Sequence, residues 1–417
     1  MSSPVWHPFT QHGLGEAIPH VVGAQGALLH LADGGTLIDG ISSWWVTTHG
    51  HCEPRIAAAI AAQAATLDQV IFAGYTHDPA EAVARGLIAL APEGLTRAFF
   101  SDSGSTSVEV ALKMALGHWH NLGVARHRIL VLQHSYHGDT IGAMSVGERG
   151  VFNRPYAPLL FDVGTIPFPH AGTEQQSLDA LDAACAVGDV AAFIVEPLLL
   201  GAGGMLIYPP WVLREMAAIC ARHGVLLIAD EVMTGWGRTG TLFACEQAGI
   251  SPDIMCVSKG ITGGALPLAV TLAREAIFES HRSTDRARAF YHSSSYTANP
   301  IACAAAAANL AIWRDEDVLG KVQAVGAMLE QGLVRIAGHP AFENPRRIGA
   351  VAAIDMKVAD AGYLSDIAPR LRAFFLDRAI LLRPLGNSIY VMPPYCIDAD
   401  QLSRVFDAIA EAGRRAL

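Results

Sequence analysis

Short apolar runs alternate with helix-like segments through the middle of the chain. Six runs are β-rich or fully apolar: Arg97–Phe100, Ile129–Leu132, Ala192–Val195, Val225–Ala229, Ile254–Val257 and Leu268–Leu272. Between them, Val108–Trp119 and Pro210–His223 are helix-like. Strands that alternate with helices predict an α/β fold, in which a mainly parallel sheet is covered by helices on both faces.

The pattern changes from about Val318 onward. Two segments, Lys321–Ile336 and Leu364–Arg378, have the spacing of amphipathic helices. Two others, Ile348–Met356 and Ile389–Met392, are predicted strands. We therefore expect a large domain over residues 51–315 and a smaller α+β domain over residues 316–417. The N-terminal segment, residues 1–50, is expected to join the smaller domain.

Composition narrows the class of protein. The 417-residue chain has a net charge of -10, which argues against nucleic acid as a general partner because phosphate binding needs dense Lys and Arg. Residues 1–20 lack the charged start and apolar core of a secretory signal, and no apolar run reaches the roughly 18 residues of a membrane span. Seven cysteines are scattered singly without a CxxC motif, which is typical of a reducing compartment. We therefore expect a cytoplasmic protein that does not enter a membrane.

Two polar residues follow buried strands, at positions where open α/β sheets bind ligands. Asp230 ends the run VLLIAD, and Lys259 follows the run DIMCV and precedes three glycines. Asp230 could instead cap a helix or form a surface salt bridge, and Lys259 could extend into solvent over its apolar stem. The pairing of both residues at strand ends favours one site. A lysine normally titrates near roughly 10.4, and partial burial lowers that pKa and makes the amine nucleophilic.

Three hydroxyl-rich loops come before predicted helices or after strands. Ser101–Ser107 precedes a helix, whose N-terminus offers backbone N–H groups suited to a phosphate, although Ser and Asp also form ordinary helix caps. Ser135–Thr140 follows a strand and places Tyr136 where it could stack on a flat cofactor or simply fill a gap. His292–Pro300 precedes an alanine-rich helix and offers further phosphate donors.

Several other motifs do not support alternative chemistry. The histidine pairs His49/His51 and His118/His120 have no carboxylate or cysteine at zinc-like spacing, so we expect no metal site. The glycines of Gly201–Gly204 lack the dinucleotide fingerprint. The chain has no GxSxG motif, which argues against a serine hydrolase of that type.

Two longer motifs carry a resemblance to a known family. Ala229–Gly240 (ADEVMTGWGRTG) and Pro252–Gly264 (PDIMCVSKGITGG) resemble the signature of class III aminotransferases. The resemblance runs from about Trp6 to the C-terminus. It includes the motifs Trp6–Gln11, Asp39–His51, Tyr136–Gly147 and Leu381–Tyr395. It implies the fold-type I architecture of pyridoxal-phosphate-dependent transferases, with pyridoxal 5'-phosphate as cofactor. The motifs are most similar to members that use S-adenosylmethionine to convert 8-amino-7-oxononanoate to 7,8-diaminononanoate in biotin biosynthesis.

The resemblance implies roles for residues at the strand ends. Lys259 would bind the cofactor covalently and then move a proton between substrate and cofactor. Asp230 would pair with the protonated pyridine nitrogen, which keeps the ring an electron sink. Gly104 and Ser105 would bind the cofactor phosphate, and Tyr136 would lie against the ring.

The resemblance also implies a substrate pocket and a second subunit. Ser294 and Ser295 would complete the phosphate site of a neighbouring subunit, so a homodimer is expected. Arg383 would face the acceptor carboxylate, because a guanidinium can hold a carboxylate with two parallel hydrogen bonds. Arg238, in the same signature, is expected to order charges near the site. The set expected at the substrate is Phe9, Trp44, Tyr136, Lys259, Ser293 and Arg383.

Four positions depart from common family patterns. Phe9 stands where the best-known members have tyrosine, and Leu200 stands where many have glutamine. Ser293–Ser295 replaces a common Gly-Pro-Thr, although Ser295 keeps a hydroxyl. Met233 stands where ornithine and 4-aminobutyrate aminotransferases usually have glutamine, which argues against those two activities.

Three alternatives stay open at this point. The first is another class III transaminase that acts on ω-amino acids or diamines and uses pyruvate; lysine could also replace S-adenosylmethionine as donor. The second is a pyridoxal-phosphate-dependent isomerase or decarboxylase, such as an aminomutase. The third is a non-catalytic protein with the same fold, which the intact Lys259 and Asp230 argue against. The Trp44–Trp45 pair and the residues around Arg383 favour the S-adenosylmethionine-dependent reaction.

Overall fold

The computed structural model describes residues 3–415, and strands alternate with helices through its middle as the hydrophobic pattern predicts. The strands, numbered in chain order, are β1 Val21–Gln25, β2 Leu28–Leu31, β3 Thr36–Asp39, β4 Leu95–Ser101, β5 Arg128–Leu132, β6 Gly164–Ile166, β7 Val190–Val195, β8 Leu199–Leu200, β9 Leu206–Ile207, β10 Leu226–Asp230, β11 Ile254–Val257, β12 Ala269–Arg274, β13 Phe342–Ile348, β14 Val351–Met356, β15 Ile380–Leu381 and β16 Ser388–Val391. The helices are α1 Ser42–Trp45, α2 Pro54–Ala64, α3 Asp78–Leu90, α4 Gly104–Leu122, α5 Ile141–Ser145, α6 Glu174–Ala186, α7 Pro210–His223, α8 Cys245–Ala248, α9 Glu275–His281, α10 Pro300–Asp315, α11 Val318–Ala337, α12 Ile367–Leu376 and α13 Ala399–Arg414.

A seven-stranded sheet forms the centre of the molecule, in the order β4-β12-β11-β10-β7-β5-β6. The pairs from β11 to β6 are parallel, and β12 runs antiparallel to both of its neighbours. The expectation of a mainly parallel sheet is confirmed. The direction of β12 follows from its short connection to β11, since parallel neighbours need a crossover of a dozen or more residues and usually a helix. Residues 258–268 contain only one 3-10 turn.

Helices cover the central sheet, so its strands are buried on both faces. Every residue of β7 and β11 is buried. On one face, Val108 and Ala111 of α4 pack with Ile129 of β5 and Ile254 of β11. A continuous apolar run without alternation is what such a doubly covered strand requires.

Strands from distant parts of the chain form the two smaller multi-stranded sheets. One has the order β1-β2-β3-β15, and the other, β13-β14-β16, is antiparallel. Their apolar faces share one buried cluster with α11, α12 and α13. The division of the chain at residues 50 and 315 stays a prediction, and residues 1–2 and 416–417 lie outside the described range.

The predicted strand Ile348–Met356 is wrong at its start. Ile348 ends β13, and β14 begins only at Val351. Gly349 lies between them with φ +49°, a conformation that glycine adopts without a steric penalty. The chain therefore reverses at this residue and forms a hairpin. Between residues 3 and 415, no helix combines the length and apolarity that a membrane crossing requires.

Candidate active site

Asp230 and Lys259 lie at the same edge of the central sheet. Asp230 is the last residue of β10 and pairs in register with Cys256 of the adjacent parallel strand β11. Lys259 follows β11 after one residue and begins a 3-10 turn with φ +46°. The carboxyl ends of neighbouring parallel strands thus bring the two predicted groups together, as the sequence argument requires.

The surroundings of Lys259 favour its neutral form. Burial lowers the pKa of its amine to about 8, while the nearby carboxylates of Asp230 and Glu196 oppose this shift. Its Nζ lies 5.0 Å from the ring centroid of Trp45. Near neutral pH this amine is therefore deprotonated far more often than that of an ordinary lysine, and it is correspondingly nucleophilic.

The carboxylate of Asp230 is buried and held from two sides. Its Oδ2 lies 2.6 Å from Nδ1 of His137, and its Oδ1 accepts from the backbone N–H of Val232 at 3.1 Å. A carboxylate has about four acceptor positions, so capacity remains for a protonated ring nitrogen. His137 was not predicted, although it belongs to the motif SYHGDT. Its position directly after Tyr136, the predicted ring-stacking residue, could have indicated that His137 belongs to the site.

The first turn of α4 forms the predicted phosphate loop. Oγ of Ser103 accepts from the N–H of Thr106, and Oγ1 of Thr106 accepts from the N–H of Ser103, so an ordinary helix cap is present too. Beside it lies a cavity of about 310 Å³, which Ser103, Gly104 and Lys259 help to line. A Cβ at Gly104 would lie 2.5 Å from Cγ1 of Val232, so only glycine fits here. The helix N-terminus makes this cavity suited to an anion.

A hydrogen-bond network links Ser105 to the loop after β5. Oγ of Ser105 accepts from the N–H of Thr140 at 3.0 Å and lies 2.8 Å from its Oγ1. Oε1 of Glu109 accepts from Oγ1 of Thr140 at 2.5 Å, and from the N–H groups of Gly142 at 2.7 Å and Ala143 at 3.1 Å. The Glu109 carboxylate on α4 thus fastens the loop after β5, which contains Tyr136, to the predicted phosphate loop.

Five of the predicted residues line a second cavity of about 320 Å³: Phe9, Trp44, Tyr136, Lys259 and Arg383. Lys259 lines both cavities, so the two cavities adjoin at this residue. This is the arrangement that a reaction between a bound cofactor and a substrate needs.

Arg383 lines the same cavity and is held by two contacts. Its Nη2 donates to the carbonyl oxygen of Phe9 at 2.8 Å, and its guanidinium carbon lies 5.2 Å from the ring centroid of Trp44. The N-terminal segment and a residue of α1 thus orient the guanidinium. Its remaining N–H groups are available to an anion in the cavity.

Sequence reasoning missed several residues of the cavity wall. Phe152 contacts Phe9, with ring centroids 6.0 Å apart, and Tyr363, with centroids 4.3 Å apart. Asp139 and Tyr390 also line the cavity, and the Tyr390 hydroxyl accepts from Nε1 of Trp45 at 2.9 Å. Asp139 and Tyr390 lie inside motifs that we quoted, whereas nothing local in the sequence indicated Phe152 or Tyr363.

Glu196 is a further buried group that the sequence did not indicate. Its Oε1 accepts from the N–H of Tyr136 at 3.1 Å, and its Oε2 accepts from the N–H of Gly201 at 3.0 Å. Burial raises its pKa to about 7, which His137 opposes. The Glu196 side chain therefore connects the loop that contains Tyr136 to the loop that contains Gly201.

The serine loop does not enter either cavity within a single chain. Ser293 and Ser295 are exposed, and neither lines the cavities beside Lys259. Ser294 donates to the carboxylate of Asp102, and the carbonyl of Ser295 accepts from the side chain of Gln69. A contribution of these serines to another subunit stays a prediction.

Arg238 does not order charged groups through its hydrogen bonds. It is buried, and it donates to the carbonyl oxygens of Pro393 at 3.0 Å and Thr47 at 2.9 Å. Its guanidinium carbon lies 5.0 Å from the ring centroid of Tyr395. Its hydrogen bonds therefore join two backbone segments, while its positive charge helps to lower the pKa of Lys259.

A mainly parallel sheet with this lysine and aspartate at its carboxyl edge is the arrangement of fold-type I pyridoxal-phosphate-dependent transferases. The model of the family Aminotransferase class-III matches residues 11–412. The chain belongs to this family and is an aminotransferase.

Relatives of known name match this chain over nearly its whole length. An adenosylmethionine-8-amino-7-oxononanoate aminotransferase of Synechococcus elongatus is 50% identical over 98% of this chain and 97% of its own. One of the same name from Mycobacterium leprae is 37% identical over 98% and 94%.

Among solved structures, the enzyme of that name from Methanocaldococcus jannaschii superposes with a TM-score of 0.94 at 30% identity and covers 99% of this chain and 97% of its own. A pyridoxal-phosphate-bound amine transaminase from an uncultivated Pseudomonas species has a TM-score of 0.92 at 31% identity, over 100% and 99%. The fold is therefore common to several transaminase activities and does not separate them.

Proposed function

We propose that this enzyme transfers the amino group of S-adenosylmethionine to 8-amino-7-oxononanoate and forms 7,8-diaminononanoate, a step of biotin biosynthesis. The observation that carries the proposal is a single cavity with the Lys259 amine at one wall and the Arg383 guanidinium at another. An oxo acid needs both, because the carbon that receives the amino group must lie near the Lys259 amine, which moves the proton, while the carboxylate needs a cation. The 50% identity to the Synechococcus elongatus enzyme favours this acceptor.

The residues of the site fit pyridoxal 5'-phosphate as cofactor. The cavity at the N-terminus of α4 suits the phosphate, and Gly104 leaves the room that a Cβ would fill. Asp230 would hold the ring nitrogen, and Lys259 would bind the aldehyde carbon. When bound, the cofactor withdraws electrons from the substrate carbon, so that a proton on that carbon becomes acidic.

Lys259 moves the proton in this scheme. With a pKa of about 8, its amine would carry a proton from the donor carbon to the cofactor, and from the cofactor to the acceptor carbon in the second half of the reaction, without a large energetic cost in either direction. Asp230 keeps the ring nitrogen protonated, and His137 and the N–H of Val232 fix the direction of its carboxylate.

Arg383 and the aromatic wall position the substrate. The guanidinium binds the carboxylate of the acceptor, while Phe9 and Trp44, which contact each other at 5.6 Å between ring centroids, exclude water from the carbon chain. Donor and acceptor use the same cavity in turn, and we therefore expect ping-pong kinetics.

We also infer that the enzyme is a homodimer and acts in the cytoplasm. The exposed serine loop is flanked by Tyr291 and Tyr296, which are 67% and 63% exposed, and Tyr75 is 62% exposed. Exposed aromatic residues of this kind are typical of interfaces. The seven cysteines are free thiols, five of them buried, as in proteins of reducing compartments.

The test is an assay with purified protein, both substrates and direct detection of 7,8-diaminononanoate. We expect product with the wild type and none with Lys259→Ala. The Pseudomonas amine transaminase supports one rival, an amine or diamine transaminase, so the assay includes pyruvate as acceptor and lysine as donor. No diaminononanoate with any donor, together with alanine formed from pyruvate, would overturn the proposal. An isomer of 8-amino-7-oxononanoate formed without a donor would indicate an aminomutase.

A further inference from the structure

Tyr363 lies beside Arg383 in the substrate cavity, although the two residues are twenty positions apart. Tyr363 belongs to the irregular segment between β14 and α12. The N–H of its neighbour Gly362 donates to Oδ1 of Asn387 at 3.1 Å. Gly386, at φ +62°, lies directly against this segment, and a Cβ there would collide with the backbone of Gly362 and Tyr363. The segment is therefore fastened to the loop that carries Arg383.

The ring of Tyr363 is fixed by aromatic contacts. Phe152 meets it at 4.3 Å between centroids with an interplanar angle of 66°, and Phe152 in turn contacts Phe9. Burial raises the pKa of the Tyr363 hydroxyl, while the positive charge of Arg383 opposes the shift. The hydroxyl thus stays protonated near neutral pH and remains a hydrogen-bond donor close to the guanidinium.

Tyr363 supplies a free hydroxyl that the other aromatic residues of the wall do not. The Tyr390 hydroxyl is buried and accepts from Trp45, and the Tyr136 hydroxyl lies near the carboxylate of Asp139, which helps to raise its pKa. Phe9 has no hydroxyl. Within residues 3–415 the Tyr363 hydroxyl has no hydrogen-bond partner, so it is available to a ligand.

We propose that the Tyr363 hydroxyl and the Arg383 guanidinium together bind the carboxylate of the acceptor. Nη2 of Arg383 already gives one hydrogen to the carbonyl of Phe9, which leaves one two-donor edge for the substrate. A carboxylate accepts about four hydrogen bonds, and Tyr363 provides a third donor on the same wall. This inference rests on the proposed function and adds a residue that selects acidic over neutral acceptors.

The test compares Tyr363→Phe with the wild type on two acceptors, 8-amino-7-oxononanoate and its primary amide. Loss of a hydrogen bond to a charged group predicts a KM for the acid about 10- to 100-fold higher, with kcat changed far less. The KM for the amide is expected to stay the same. Tyr156→Phe is the matched control, because this tyrosine is 47% exposed and lines neither cavity of the site.

Two results would overturn the inference: an unchanged KM for the acid, or an equal rise for acid and amide, since the latter indicates only a packing role. The visible absorbance of the bound cofactor reports whether Tyr363→Phe is folded and loaded. If Tyr363→Phe does not fold, Tyr363→Met is measured on the same two acceptors in its place, and an unchanged KM for the acid again overturns the inference. A wild type that does not aminate the acceptor at all contradicts the proposed function itself, which separates the two failures.

Discussion

At the scale of single residues, the lowered pKa of Lys259 predicts how cofactor uptake depends on pH. Its folded value of about 8 lies below the ordinary value of 10.5. The neutral amine therefore becomes the major form above about pH 8 rather than above about pH 10.5. We expect the rate at which cofactor-free protein takes up pyridoxal phosphate to rise with pH and to level off above about pH 8. Visible absorbance over a pH series measures this, and a midpoint near 10 would argue that the amine is solvated.

Asp230 is predicted to act through its charge. Asp230→Asn keeps the shape of the side chain but removes the negative partner of the ring nitrogen. We expect kcat to fall about 100- to 1000-fold, the size of a lost electrostatic contact in other active sites. Asp182→Asn is the control, because that carboxylate lies in an exposed ion pair with Arg222. Equal activity of the two variants would remove Asp230 from the mechanism.

Single residues also show how far sequence reasoning reaches. Asp230 and Lys259 could be predicted because each follows an apolar strand, and the geometry of a parallel sheet brings such ends together. Phe152 and Tyr363 could not be predicted, because they meet only through contacts between segments more than 200 residues apart. The hydrogen-bond partners of Arg238 could not be predicted, because its sequence position did not indicate that they are carbonyl groups.

At the scale of elements, the network around Glu109 joins α4 to the loop after β5. Glu109→Gln keeps one oxygen for the three hydrogen bonds but replaces the carboxylate with a neutral amide, so each of the three bonds becomes weaker. We expect the free energy of unfolding to fall by about 1–3 kcal/mol and the cofactor to dissociate faster. Urea unfolding and cofactor release measure both effects. Glu279→Gln, on the surface of α9, is the control, and retention as tight as in the wild type would contradict the role of Glu109.

At the same scale, most strands could be predicted from the sequence, whereas the direction of one strand and the boundary of another could not. The six apolar runs became strands because a sheet covered on both faces needs continuous apolar segments. The antiparallel direction of β12 follows from the absence of a helix in its short connection, which the apolar pattern alone does not show. The hairpin at Gly349 was missed because a single glycine with positive φ interrupts an apolar stretch without changing its composition.

At the scale of the whole molecule, the serine loop predicts sites shared between subunits. Lys259→Ala and the double variant Ser294→Ala/Ser295→Ala are each expected to be impaired as homodimers. Refolded together, they form hybrid dimers with one complete site if the serines act across the interface. We then expect mixing to restore activity that neither variant has alone. If both serines serve their own chain, every site in the hybrid is defective and mixing restores nothing.

The most direct test of the whole account is the position of the covalent link to the cofactor. Reduction of the loaded enzyme with borohydride, followed by proteolysis and mass spectrometry, locates the pyridoxyl label. The account predicts a single label at Lys259 and the loss of both label and amination in Lys259→Ala. A label on another lysine, or amination that persists in Lys259→Ala, would contradict it.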